Sequence, residues 1–156
     1  MAASVSPWTK KGTNTNVGTN ANGNFNNGDD LINNVVRYEC HVWLECTSKI
    51  NSEHFDFPVT GDFTVVLNAA QEAIVADAGD VDVDIEGSVT GDSDHYVKMA
   101  DLLTWNAGGA SETDVIGYAV YNYDDDGRMP YMRISLTCQS NADSSTKGVK
   151  VVVIPN

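Results

Sequence analysis

Residues 81–86 read Val-Asp-Val-Asp-Ile-Glu, an unbroken alternation of β-branched apolar and acidic side chains. A period of two places every apolar group on one face of an extended strand and every carboxylate on the other. A helix cannot do this, because its same-face neighbours lie three and four residues apart. With Asp80, the acidic face carries Asp82, Asp84 and Glu86. Like charges side by side repel, so that face is expected to meet solvent or a cationic partner.

The same period recurs along the chain. In residues 37–46, Tyr38, Cys40, Val42, Leu44 and Cys46 fall on one face, and Arg37, Glu39, His41, Trp43 and Glu45 on the other. In residues 129–138, Met132, Ile134, Leu136 and Cys138 oppose Tyr131, Arg133, Ser135 and Thr137. Further strands are expected over 63–67, 95–99, 115–121 and 149–154, while 68–78 suits a short helix or a strand equally. Gly, Asp, Asn and Ser punctuate these runs as turn residues. Many short strands at close spacing, with no alternating helices, imply an all-β chain. The expected architecture is an antiparallel β-sandwich or jelly roll with an extended N-terminal arm.

The chain has 156 residues, enough for one domain, which we place at 35–156. A domain near this size buries roughly 68–70% of its unfolded surface and needs no disulfide or metal to fold. The arm is residues 1–34. Within it, residues 12–28 are almost wholly Asn, Gly and Thr, with Val17 and Phe25 as the large apolar exceptions. Such a stretch buries too little apolar surface to offset its ordering entropy, so the arm is expected to be mobile in the free protein. Trp8, after Pro7, has no local core to join. Trp8 and Phe25 are therefore the expected partner-binding anchors.

Nine Lys and Arg face 22 Asp and Glu, a formal net charge of −13. Nucleic-acid binding needs cations to displace condensed counterions, and the nearest basic cluster is Lys10-Lys11; neither a nucleic acid nor an anionic membrane is an expected partner. The opening residues lack the apolar stretch of a secretory signal, and no run approaches membrane-spanning length. Three cysteines, Cys40, Cys46 and Cys138, lack the spacing of a metal site or a disulfide framework. Residues six apart on one strand lie roughly 20 Å apart, so Cys40 and Cys46 cannot pair. Free, inward-facing thiols and synthesis in a reducing cytoplasm are expected.

No nucleophile elbow, zinc-protease helix or phosphate-cradling loop occurs, and His41, His54 and His95 are scattered; no catalysis and no cofactor is expected. Asn122, Asp124 and Asp126, followed by Gly127, match the opening of a calcium loop. The twelfth position, where a bidentate Glu belongs, is Arg133 inside an expected strand. That excludes an EF-hand and favours a turn built on Asp and Gly geometry. Trp105, Tyr118, Tyr121, Tyr123 and Tyr131 could form a sugar-stacking surface, but such residues are more often core or cross-strand pairs.

Residues 85–102, IEGSVTGDSDHYVKMADL, resemble a strand–turn–strand unit of β-sandwich virion proteins of tailed bacteriophages, in which a buried strand ends in Gly-Ser before a Gly/Asp-rich turn. Residues 115–137 and the terminal run VKVVVIPN are similar to the closing half of such proteins. The resemblance implies a capsid cement or decoration protein on the virion exterior. Its partners would be the major capsid protein and other copies of itself, as a homotrimer. It transfers no functional residue. The alternative is a carbohydrate-binding sandwich module of a tail appendage or secreted protein, which an exposed, coplanar set of aromatic rings would favour.

Overall fold

In the computed structural model, residues 4–12, 36–44, 49–68, 81–105, 116–138 and 147–155 are described. Ten strands follow in chain order: β1 (Ser4–Val5), β2 (Thr9–Lys11), β3 (Arg37–Leu44), β4 (Lys49–Asn51), β5 (Phe63–Asn68), β6 (Val81–Ser88), β7 (Val97–Trp105), β8 (Ile116–Tyr121), β9 (Tyr131–Cys138) and β10 (Lys147–Pro155). A 3-10 turn at Ser93–His95 and a single helical turn, α1 (Tyr123–Asp126), complete the regular structure among the described residues. The strands form two antiparallel sheets. The first runs β1-β3-β10-β5-β8, with β2 also on β3; the second runs β4-β9-β6-β7.

Alternation explains how both sheets serve one core. Cys40 and Val42 of β3, Phe63, Val65 and Leu67 of β5, and Val149, Val151 and Val153 of β10 are buried in the first sheet. They share a single apolar cluster with Val81, Val83 and Ile85 of β6 and Met132, Ile134, Leu136 and Cys138 of β9. Each fully buried aliphatic side chain contributes about 1.5–3 kcal/mol relative to leaving it in water. The inward faces expected for 37–46, 81–86 and 129–138 are those observed, as far as they are described.

Strand ends differ in instructive ways. His95, expected in a strand, closes the 3-10 turn, and β7 begins at Val97. Ser88 explains the turn before it, since its hydroxyl oxygen accepts N–H groups of Thr90 at 3.2 Å and Gly91 at 3.0 Å, ending β6. Gly87 leaves room for two methionine side chains, because a Cβ there would collide with the Met99 sulfur and crowd the Met129 side chain. Met129 and Pro130 precede β9, which starts at Tyr131. Residues 69–80, including most of the ambiguous stretch, lie outside the described residues.

The N-terminal segment departs most from expectation. Its first residues are part of the sheet. Val5 lies opposite Val42 and Thr9 opposite Glu39, while the Ser6 N–H donates to the His41 carbonyl at 2.8 Å. Pro7 and Trp8 therefore share the place opposite Cys40. Two residues against one is a bulge, and a bulge re-aims a side chain. Pro7, which has no N–H to give a ladder, fits there. The Trp8 ring turns inward and is 7% exposed. The expectation that Trp8 is free for a partner is thus corrected: the bulge gives it a core within its own chain. Residues 13–35, with Phe25, lie outside the described residues.

Candidate functional site: the outer faces of the two sheets

Most of the sequence-nominated groups are spent on holding the fold. Trp8 Nε1 donates to the Glu53 carbonyl at 2.9 Å, and its ring meets Phe55 and Phe57 edge-on, each with centroids 5.5 Å away. Phe57 stacks on Tyr38 at 3.8 Å, and Phe55 meets Phe63, which stacks on Tyr121 at 4.8 Å. Among the nominated aromatics, Tyr121 is buried and its hydroxyl donates to the Gly127 carbonyl at 2.7 Å. Burial, with Asp126 and Tyr123 adding to it, pushes that phenol up to about 12. Tyr123 and Tyr131 are half-buried, and only Tyr118 of the described four stands free. The Trp105 side chain lies outside the described residues.

The calcium-like stretch is a capped helical turn. Asn122 precedes α1, and its side-chain oxygen accepts the N–H groups of Asp124 at 3.1 Å and Asp125 at 3.3 Å. Its amide nitrogen donates to Asp125 Oδ2 at 3.0 Å. Gly127 ends the turn at φ +82°, a conformation that favours glycine, and its N–H donates to the Tyr123 carbonyl. An Asn oxygen occupied by two backbone N–H groups is acting as a helix cap. Among the described residues no three His, Cys, Asp or Glu side chains gather as a metal ion would require.

Cys40 and Cys138 are buried thiols; Cys46 lies outside the described residues. Burial, reinforced by the Glu53 carboxylate, pushes the Cys40 thiol up to about 12, which makes it inert as a nucleophile.

The two outer faces differ in chemistry. On the second sheet, the acidic side of β6 is largely neutralised within the chain rather than wet. Glu86, 5% exposed, pairs with Lys49 of β4 and with Arg133 of β9, whose Nη2 lies 2.8 Å away. The Arg133 guanidinium also lies over the Tyr96 ring, 3.8 Å from its centroid. Burial alone would raise the Glu86 carboxyl, but the hydrogen bonds and charges of Lys49 and Arg133 outweigh it and leave it below its ordinary value. Asp84 goes the other way. Burial prevails over its contact with Lys98, and its carboxyl is raised. Lys98 also pairs with Asp101 on the same strand. No period in the sequence announces these cations, because Lys49 and Arg133 arrive from distant segments.

The first sheet presents the opposite surface. None of the 22 acidic residues falls in β5, β8 or β10, three adjacent strands. Across them Tyr118 lies opposite Val66, and Val66 opposite Val152; one step along, Val120 lies opposite Thr64, and Thr64 opposite Ile154. Tyr118 is 70% and Val120 54% exposed, while Val66, Val152 and Ile154 are half-buried. On the far side of β10, Glu39 is held by Arg37 at 2.9 Å and Lys150 at 3.2 Å. A carboxylate-free apolar stripe on so acidic a molecule marks a place where another surface can approach without like-charge repulsion.

Among the described residues no helix is long and apolar enough to cross a membrane. Compared with known protein families and with curated proteins, the sequence matches no family model and no curated protein.

Proposed function

We propose that this chain is a structural protein of a virus particle, a cement or decoration protein bound to the capsid exterior of a tailed phage. The observation that carries the proposal is the outer stripe of Tyr118, Val120, Val66, Val152 and Ile154 on three strands without a carboxylate. Its partner is the shell subunit, met again on each repeat of the lattice, so that many modest contacts sum to high avidity. Neighbouring copies, arranged as a trimer, complete the assembly.

The strand order supports a jelly-roll sandwich as the architecture. The row β3-β10-β5-β8 shares its core with the row β4-β9-β6-β7, and most successive strands change sheet. Eight strands in two such rows are a fold used by viral capsid proteins and by lectins. The carbohydrate-binding alternative has less behind it, because the described tyrosines form no exposed coplanar set: Tyr118 is exposed and Tyr121 is buried.

Mass spectrometry of purified particles tests the proposal. The chain is expected at a fixed stoichiometric ratio to the major shell subunit. Finding it only in the soluble fraction of infected cells overturns the assignment.

A further inference from the structure

We infer that the N-terminal strand, residues 4–11, is exchangeable, and that in an assembly the cleft occupied by Trp8 is filled by the same segment of a second copy. The cleft has a definite chemistry. Tyr38, Phe55 and Phe57 make an aromatic wall, and the Glu53 carbonyl waits at its end for an indole N–H. The edge of β3 supplies the rest. It pairs with Ser4, Val5 and Thr9–Lys11, and the His41 N–H donates to the Ser6 hydroxyl oxygen at 2.8 Å. A short strand with one aromatic knob satisfies all of it. Nothing in those contacts depends on which copy donates the strand.

The length of the connection makes exchange feasible. Lys11 lies directly opposite Arg37, and antiparallel neighbours in that position can be joined by a turn of two to five residues. The chain uses 25, residues 12–36. Fully extended, that many residues reach about 80 Å, several times the spacing between adjacent strands and enough to reach the same edge on a neighbouring molecule. Loop-closure entropy rises only slowly with length, so the intramolecular strand enjoys a modest advantage, equivalent to a local concentration in the millimolar range. Copies held side by side at comparable concentration compete with it. The docked strand also leaves Lys10 and Lys11 on the outer edge, where exposed Lys discourages open-ended strand addition and limits pairing to this one segment. The inference concerns copies of this chain alone and stands whether or not the partner proposed above is a capsid.

Cross-linking between full-length chains tests it. Ser4 and Trp43 are direct partners across β1 and β3. One population carries Ser4→Cys and the other Trp43→Cys; they are mixed, oxidised, and the linkage is mapped by mass spectrometry. An inter-chain link between the two introduced thiols is expected to rise at least tenfold between about 10 µM and about 1 mM, the range in which exchange overtakes self-docking. A link no more abundant than those to the native thiols overturns the inference. Sedimentation of the unmodified chain gives an independent readout. Association is expected at about 1 mM, and it is expected to vanish when residues 12–36 are replaced by Asn-Gly, which ties the strand to its own edge. A wild-type chain that stays monomeric, or a shortened chain that associates equally, overturns it.

Discussion

The indole N–H of Trp8 donates to the carbonyl of Glu53 over 2.9 Å, tying together two residues 45 apart in sequence. Through it the first strand becomes part of the core rather than an appendage. Trp8→Ala is therefore expected to cost about 3 kcal/mol, the low end for truncating a buried Trp, because the site lies at an edge. Urea unfolding checks it through a lower midpoint at unchanged slope. A change below about 0.5 kcal/mol, the ordinary surface range, would show that the segment is not docked.

Glu86 is the charged centre of the second sheet, and Glu86→Gln leaves Lys49 and Arg133 facing a neutral amide. A loss of about 3 kcal/mol is expected, the low end for breaking a buried pair because Lys49 stays half in water. The sign of the pH dependence follows from its lowered carboxyl pKa. The stability Glu86 contributes is fully present above the unfolded value of 4.5 and is lost as pH falls through the lower folded value. Glu39, also lowered, acts in the same sense, whereas Asp84, raised, opposes it. Denaturation curves below pH 4.5 should thus be less pH-dependent in Glu86→Gln than in wild type.

Cys40 and Cys138 are expected to react with a disulfide reagent only as fast as the protein unfolds. Both are buried, and burial pushes Cys40 up to about 12, so the thiolate is scarce even at pH 8. In denaturant without reductant all three thiols should titrate. Rapid native-state labelling of Cys40 would contradict its placement behind the Trp8 bulge.

The Asn122 turn is expected to be a cap. Asn122→Ala should cost about 1 kcal/mol through the lost N-cap. Calcium in excess over chelator should leave the thermal midpoint unchanged. A shift that disappears in Asp124→Ala would instead make the turn a cation site.

The sequence made the inner faces of β3, β6 and β9 legible because six to eight residues of alternation carry a period of two that a helix cannot produce. Trp8 was not legible. Strands of two and three residues carry no measurable period, and the one-residue bulge between them reverses the direction in which Trp8 points. Its receptors, Phe55 and Phe57, lie in an irregular stretch between β4 and β5 where no pattern operates. For the acidic face of β6 the alternation leaves both solvent and a cationic partner open, because periodicity reports which side a residue is on but not what covers it. Lys49 and Arg133 cover it from 37 and 47 residues away. The carboxylate-free outer stripe was implicit in the composition of β5, β8 and β10, yet it became a surface only once strand order set those three side by side.

The most direct measurement compares wild type with the double variant Tyr118→Lys, Val120→Lys in co-sedimentation with particles lacking the native copy. Both positions are exposed, so the substitutions should leave the unfolding midpoint close to that of wild type. The account predicts saturable binding of wild type at a fixed number of copies per particle and at least a tenfold weaker attachment of the variant, the equivalent of about 1.4 kcal/mol per contact. Equal binding of the two proteins would show that this face of the first sheet is not the docking surface and would contradict the account.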